Sequence, residues 1–259
     1  MAMVWGVVSG VALEQAEACS WASCNSPGYL LPEEEARIPA NAPGLLWTPL
    51  ALENTAAASD LHLRNLDSEE VLPVEVMPFT AVAQGGPAHL SVLPAAQEGA
   101  GWLEEGARYR LVTPNTSAES DCDGPMSPVA STFTVEAEAP LPESLGTACW
   151  HAVGSGPLSV AEETACSHQP DARWIDIGLE LDPTAQPWTD LWVYEVLVDG
   201  EPWAAADFSG ALPYPTGSSW IGRGLDRVFA ICDAHPHSDA SFLVPGTYEV
   251  SWRAALPGT

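Results

Sequence analysis

Residues 172–203 read ARWIDIGLELDPTAQPWTDLWVYEVLVDGEPW, and this stretch decides the fold class. Aliphatic side chains occupy every second position from Ile175 to Leu181, which is the period of a half-buried strand. Residues 191–198 repeat the alternation and then meet Asp199-Gly200, a dipeptide suited to a two-residue hairpin turn. The stretch therefore predicts three successive strands, the last at a sheet edge because Pro202 has no backbone N–H to donate.

The length and composition of the chain predict two all-β domains. Its 259 residues exceed the commonest size of one domain, and the 46% hydrophobic content favours a folded protein over a disordered one. The 24 prolines and 21 glycines favour many short segments over long helices. Val135 to Ser144 is acidic, contains prolines and lacks an apolar period, as is typical of a linker. We therefore predict β-sandwich domains at residues 19–137 and 138–259.

The charge of the chain argues against two classes of partner. The formal net charge is -27, and all eight basic residues are arginine. Nucleic acids and anionic lipids are bound through basic side chains that neutralise phosphates, so a strongly acidic surface repels both. After the first residues, no apolar run is long enough to cross a bilayer. We expect no nucleic-acid partner and no membrane insertion.

The first 18 residues have features of an export signal. Val4 to Leu13 is a short apolar stretch, and Ala16 and Ala18 are small residues at the positions that a signal peptidase recognises. The basic segment that normally precedes the apolar stretch is missing. We predict a signal peptide at residues 1–18 and a protein that is secreted, periplasmic or at the cell surface.

The cysteines are consistent with the same compartment. Their even number is typical of proteins that fold under oxidising conditions. A bridge closing the loop between Cys149 and Cys166 would stabilise the fold by about 3 kcal/mol in the chain-entropy model. Zinc binding is the alternative, but no Cys-x-x-Cys pair is present. Spacing suggests the pairs Cys19–Cys24, Cys149–Cys166 and Cys122–Cys232, although the sequence alone does not choose among the possible pairings.

Two segments share one pattern: an aliphatic residue, a glycine turn and a tyrosine that opens a strand. They are residues 103–111, LEEGARYRL, and 243–250, LVPGTYEV. The second resembles the entry to a late strand in immunoglobulin-like and fibronectin type III-like modules of bacterial secreted proteins, whose opening strands are similar to residues 36–47. The resemblance covers most of residues 36–254 and implies two tandem Greek-key immunoglobulin-like sandwiches in an extracellular setting. The resemblance implies no catalytic residues. The second segment departs from the pattern, because no obvious final strand follows Ala254.

Motifs of the common enzyme classes are absent. The chain has no Gly-x-Ser-x-Gly elbow, no zinc-protease helix motif and no phosphate-binding loop, which would require a lysine. Ser155 lies between two glycines, has no identifiable base and is typical of a turn before Pro157. We therefore predict a non-catalytic protein.

The segment from Cys232 to Asp239, CDAHPHSD, is the strongest candidate for a chemical site. Imidazoles and carboxylates bind divalent transition metals. However, two histidines two residues apart point in opposite directions in an extended loop, and a solvated connection needs only polarity. A metal-binding protein or enzyme is therefore the alternative function, with no other cofactor predicted; its ligands would be Asp233, His235, His237 and Asp239.

Two further features suggest binding functions. The connection from Thr113 to Ser131 is long enough to be presented as the binding loop of a protein inhibitor. It also contains Asp121 and Asp123, but the later ligands of a calcium loop are missing.

The 11 tryptophans suggest ligand contacts through ring stacking. Most lie in predicted strands, where core packing explains them, so we predict exposure for those near turns and edges: Trp188, Trp203 and Trp220. The function predicted first is a non-catalytic exported surface, adhesion or binding module for a protein or carbohydrate ligand.

Overall fold

The computed structural model describes residues 29–49, 61–80, 90–95, 101–113, 130–157, 160–161, 167–168, 171–205, 225–232, 243 and 246–259. Within these ranges the chain forms β-strands, and the one helical segment is a 3₁₀ turn at Gln186–Trp188. The predicted all-β class is confirmed. In this part of the chain no helix has the length and apolarity needed to cross a membrane.

The described residues of the N-terminal half, between 29 and 136, form nine strands in two sheets. One sheet has the order β1-β3-β7-β6, and the other has the order β2-β9-β8-β4-β5. All neighbours are antiparallel except β2 and β9, which are parallel. The strands are β1 (Tyr29–Leu31), β2 (Arg37–Pro39), β3 (Leu45–Thr48), β4 (His62–Asn65), β5 (Val71–Leu72), β6 (Val74–Pro78), β7 (Leu90–Pro94), β8 (Arg108–Val112) and β9 (Ala130–Glu136).

The alternation of side chains explains how these two sheets pack. In β8 and β9 every second side chain is buried, and the rings of Tyr109 and Phe133 stack with centroids 5.9 Å apart. They lie in one apolar cluster with Leu45, Trp47 and Val92 of the other sheet. The sheets therefore pack face to face in a sandwich-like arrangement, with Tyr109 and Phe133 pointing into the core.

Strand β3 is buried on both faces. Each of its four residues is buried, and Leu46 belongs to a second apolar cluster with Leu31, Phe79 and Val193. A continuous apolar run of this kind is typical of a strand that is covered on both sides. Val193 comes from the other half of the chain, so β3 lies where the two halves meet.

In the C-terminal half, between residues 146 and 255, the described part of the chain forms eight strands. They make a sheet with the order β10-β13-β16, a sheet with the order β15-β14-β17 and the hairpin β11-β12. The strands are β10 (Gly146–Pro157), β11 (Val160–Ala161), β12 (Ser167–His168), β13 (Asp171–Leu181), β14 (Val193–Val198), β15 (Glu201–Ala205), β16 (Leu225–Ile231) and β17 (Val250–Ala255).

The predicted hairpin is confirmed. Asp199 and Gly200 have φ values of 50° and 83°, as the turn requires, and they join β14 to β15. Strand β15, which contains Pro202, is at the edge of its sheet as predicted.

Strand β10 pairs with β13 over its whole length. Its register is irregular between Trp150 and Ala152, which breaks the two-residue period that identifies a strand in a sequence.

The two halves contact each other directly. The backbone N–H of Arg37 donates a hydrogen bond to the Asp190 carboxylate (3.2 Å), and the backbone N–H of Gly258, which follows β17, donates to the Ser91 hydroxyl (3.1 Å). One apolar cluster contains both Leu45 of the N-terminal half and Leu256. The domain boundary at residue 138 and the Greek-key immunoglobulin-like type remain predictions.

Candidate functional site

Most residues of the predicted sites lie outside the described ranges. These are the metal ligands Asp233, His235, His237 and Asp239, the interior of the loop from Thr113 to Ser131 with its calcium candidates, Trp220, and the cysteines Cys19, Cys24, Cys122 and Cys166. The metal, inhibitor and calcium hypotheses therefore remain predictions.

The described cysteines, Cys149 and Cys232, are free thiols. Cys232 is exposed, and Cys149 is half-buried. No disulfide is found in the described part of the chain, and the predicted partners of these two thiols lie outside it.

Two of the tryptophans predicted to be exposed are buried, which is a correction. The exposed fraction is 0% for Trp188 and 5% for Trp203. Each indole N–H finds a backbone acceptor, the Pro140 carbonyl for Trp188 and the Arg227 carbonyl for Trp203, at 2.9 and 3.1 Å. Because its N–H is paired, each ring is buried without leaving an unsatisfied donor. Proximity to a turn was therefore a poor guide to exposure.

A different tryptophan is exposed, and it lies beside a groove. Trp150 and Val153 in β10 have exposed fractions of 73% and 81%. They stand at a cavity of about 560 Å³, here called the β10 groove. Its lining comes from β10, β13, β16 and the approach to β17: Trp150, Val153, Arg173, Trp174, Ile175, Ile177, Val228, Phe229, Ala230, Leu243, Gly246, Thr247, Tyr248 and Val250. A cavity of about 200 Å³ adjoins it at Trp150 and Tyr248.

The irregularity in β10 places both exposed side chains on the groove side. Trp150 is opposite Ile177, and Val153 is opposite Ile175, with the extra residue His151 between them. In a regular strand, residues three apart point to opposite faces, but one inserted residue restores the same face. The bulge thus aligns Trp150 and Val153 with the two isoleucines of β13.

Charge and ring contacts join β13 to β16 in the same sheet. Arg227 in β16 donates two hydrogen bonds to the Asp176 carboxylate in β13 (2.6 and 2.9 Å), and both side chains are largely buried. The Arg227 guanidinium also lies 4.6 Å from the centre of the Trp174 ring, within cation–π distance. These contacts hold β13 against β16, and both strands line the groove.

Gly154 allows Trp174 to lie across β10. The two residues are directly opposite each other, and a Cβ atom added at Gly154 would be 2.4–2.6 Å from the Trp174 ring. A side chain at position 154 would therefore displace the ring. The absence of a side chain there brings β10 and the indole into direct contact.

The chemistry of the β10 groove suits an apolar ligand. Its volume is in the range of small-ligand pockets, and most of its lining is aliphatic or aromatic. Arg173 is the one charged side chain among the lining residues. This lining offers apolar contact and ring stacking to a ligand. The described residues hold no group of three or more potential metal ligands.

Comparison of the chain with protein-family models, with curated proteins and with solved structures finds no match.

Proposed function

We propose that this chain is a non-catalytic, exported binding protein that holds an apolar part of its ligand in the β10 groove. One observation carries the proposal: Trp150 and Val153 stay in solvent beside an apolar cavity, although most large apolar side chains of the described residues are buried. Leaving such side chains exposed forgoes about 1.5–3 kcal/mol each, which ligand binding can recover. Exposed aromatic residues at the rim of a cavity are typical of binding surfaces.

Two features of the sequence support the export part of the proposal. They are the apolar stretch from Val4 to Leu13 and the net charge of -27. The free thiols of Cys149 and Cys232 do not support export, because disulfides are what exported proteins typically contain. The ligand classes that fit are a protein segment, through its apolar side chains, and a carbohydrate, through stacking on Trp150.

A neutral apolar dye tests the groove without knowledge of the natural ligand. We expect N-phenyl-1-naphthylamine to bind saturably to the purified protein, with affinity at least tenfold lower in Trp150→Ala and Val153→Asp. Met77→Ala is the matched control, because Met77 is an exposed apolar side chain in the N-terminal half. Equal dye binding by all four proteins, or no saturable binding, would overturn the proposal.

A further inference from the structure

The outer edge of β10 offers backbone groups to a partner. β10 is 12 residues long and is the first strand in its sheet, so among the described residues it pairs with β13 alone. In a strand that is paired on one side, every second residue points its N–H and C=O away from the sheet. Such an edge is a template for another strand.

Most devices that protect exposed edges are missing from β10. The strand contains no charged residue, and its proline is the last residue, Pro157. The bulge at His151 is one such device, but it leaves the register from Ala152 to Pro157 uninterrupted. A short strand can therefore be added along this stretch, directly beside the rim of the β10 groove.

Charge decides which partner fits the edge. A second copy of the chain would bring another -27 of charge to the same place and be repelled. Exposed carboxylates lie near both ends of β10, since Glu180 is opposite Thr147 and Asp171 is opposite Pro157. Between them Arg173, opposite Ser155, lines the groove. These charges lie one strand in from the edge, within reach of long basic side chains, so they favour positive charge at the ends of the added strand and disfavour it in the middle.

We propose that the ligand is an extended peptide segment that pairs with β10 as an added strand, with apolar side chains in the groove and basic residues at its ends. The inference rests on the proposed function and narrows its ligand class. Backbone hydrogen bonds supply part of the affinity in this mode of recognition, and pockets for alternate side chains supply the specificity.

Synthetic peptides test this inference. The probe alternates valine or phenylalanine with threonine and has two basic residues at each end; its binding is followed by fluorescence anisotropy. Control peptides carry N-methyl groups on alternate backbone nitrogens, in either register, or glutamate in place of the basic residues. We expect the probe to compete with the dye, N-methylation in one register to weaken binding at least tenfold, and the glutamate peptide not to bind.

Variants of the protein provide the matching half of the test. Asp171→Asn combined with Glu180→Gln should weaken the probe peptide about tenfold and leave dye binding unchanged. If the native protein binds the dye but not the peptide, the added-strand inference alone is overturned. If it binds neither the dye nor the peptide, the proposed function is overturned as well. Peptide binding that is insensitive to N-methylation, a stable dimer in light scattering, or displacement of the dye by oligosaccharides but not by the peptide would each overturn the added strand.

Discussion

The core of the N-terminal half and the sheet β10-β13-β16 use the same kinds of side chain in opposite ways. In the first, Leu45, Leu63 and Leu111 are fully buried between two sheets. In the second, Trp150 and Val153 remain exposed beside a cavity of about 560 Å³. The difference separates apolar residues that stabilise the fold from apolar residues that are available to a ligand, a distinction that composition does not make.

The largest expected effect is in the N-terminal core. Replacing fully buried Trp47 with Ala removes a large packed ring, so we expect a loss of about 3–5 kcal/mol in the free energy of unfolding. Trp150→Ala should change it by less than about 0.5 kcal/mol. Urea denaturation measures both values. Similar losses in the two variants would show that Trp150 contributes to stability as a core residue does.

The next effect concerns the ion pair between Asp176 in β13 and Arg227 in β16. Asp176→Asn leaves the largely buried Arg227 without its counter-charge, and we expect a loss of about 1.5–3 kcal/mol, the range for hydrogen bonds to charged groups. Glu136→Gln is the control, because its pair with Arg37 is solvent-exposed and should contribute less than about 1 kcal/mol. Thermal or urea unfolding in low and high salt compares them; an equal loss would show that Asp176 is not shielded from solvent.

A smaller effect is expected where β10 meets the indole of β13. Gly154→Ala places a Cβ atom against the Trp174 ring, and a displaced ring should cost about 1–2 kcal/mol, typical of overpacking. Combining it with Trp174→Leu should remove most of that penalty, as expected for residues in contact. Additive losses in the double variant would contradict the contact.

The last prediction concerns the reactivity of two thiols and involves almost no change in stability. Cys149 and Cys232 are free thiols in the structure, so alkylation with iodoacetamide under denaturing, non-reducing conditions should modify both. Under native conditions exposed Cys232 should react faster than half-buried Cys149. Peptide mass mapping measures this, and a peptide that links Cys149 to Cys166 would instead favour the pairing predicted from the sequence.

The sequence predicted the elements whose signals are local. The hairpin at Asp199-Gly200 combines alternation with a turn dipeptide, and β8 follows a strict two-residue period over Arg108–Val112. Both lie where they were predicted. In each case the residues that form the element also carry its signal.

The candidate site was missed because its signals come from other parts of the chain. The bulge at His151 is defined by the pairing of β10 with β13, so Trp150 and Val153 share a face only once that partner is known. Burial of Trp188 likewise depends on Pro140, 48 residues away in the sequence. Spacing within a segment does not contain this information.

The core that includes both Leu45 and Leu256 has a consequence for how the protein is made. Residues this far apart in sequence meet only after most of the chain has left the ribosome, and contacts of long sequence separation form slowly. We expect the nascent chain to stay loosely folded during synthesis. If the chain is exported, as we propose, the delay keeps it unfolded for a translocation channel, and the core closes after the chain has crossed.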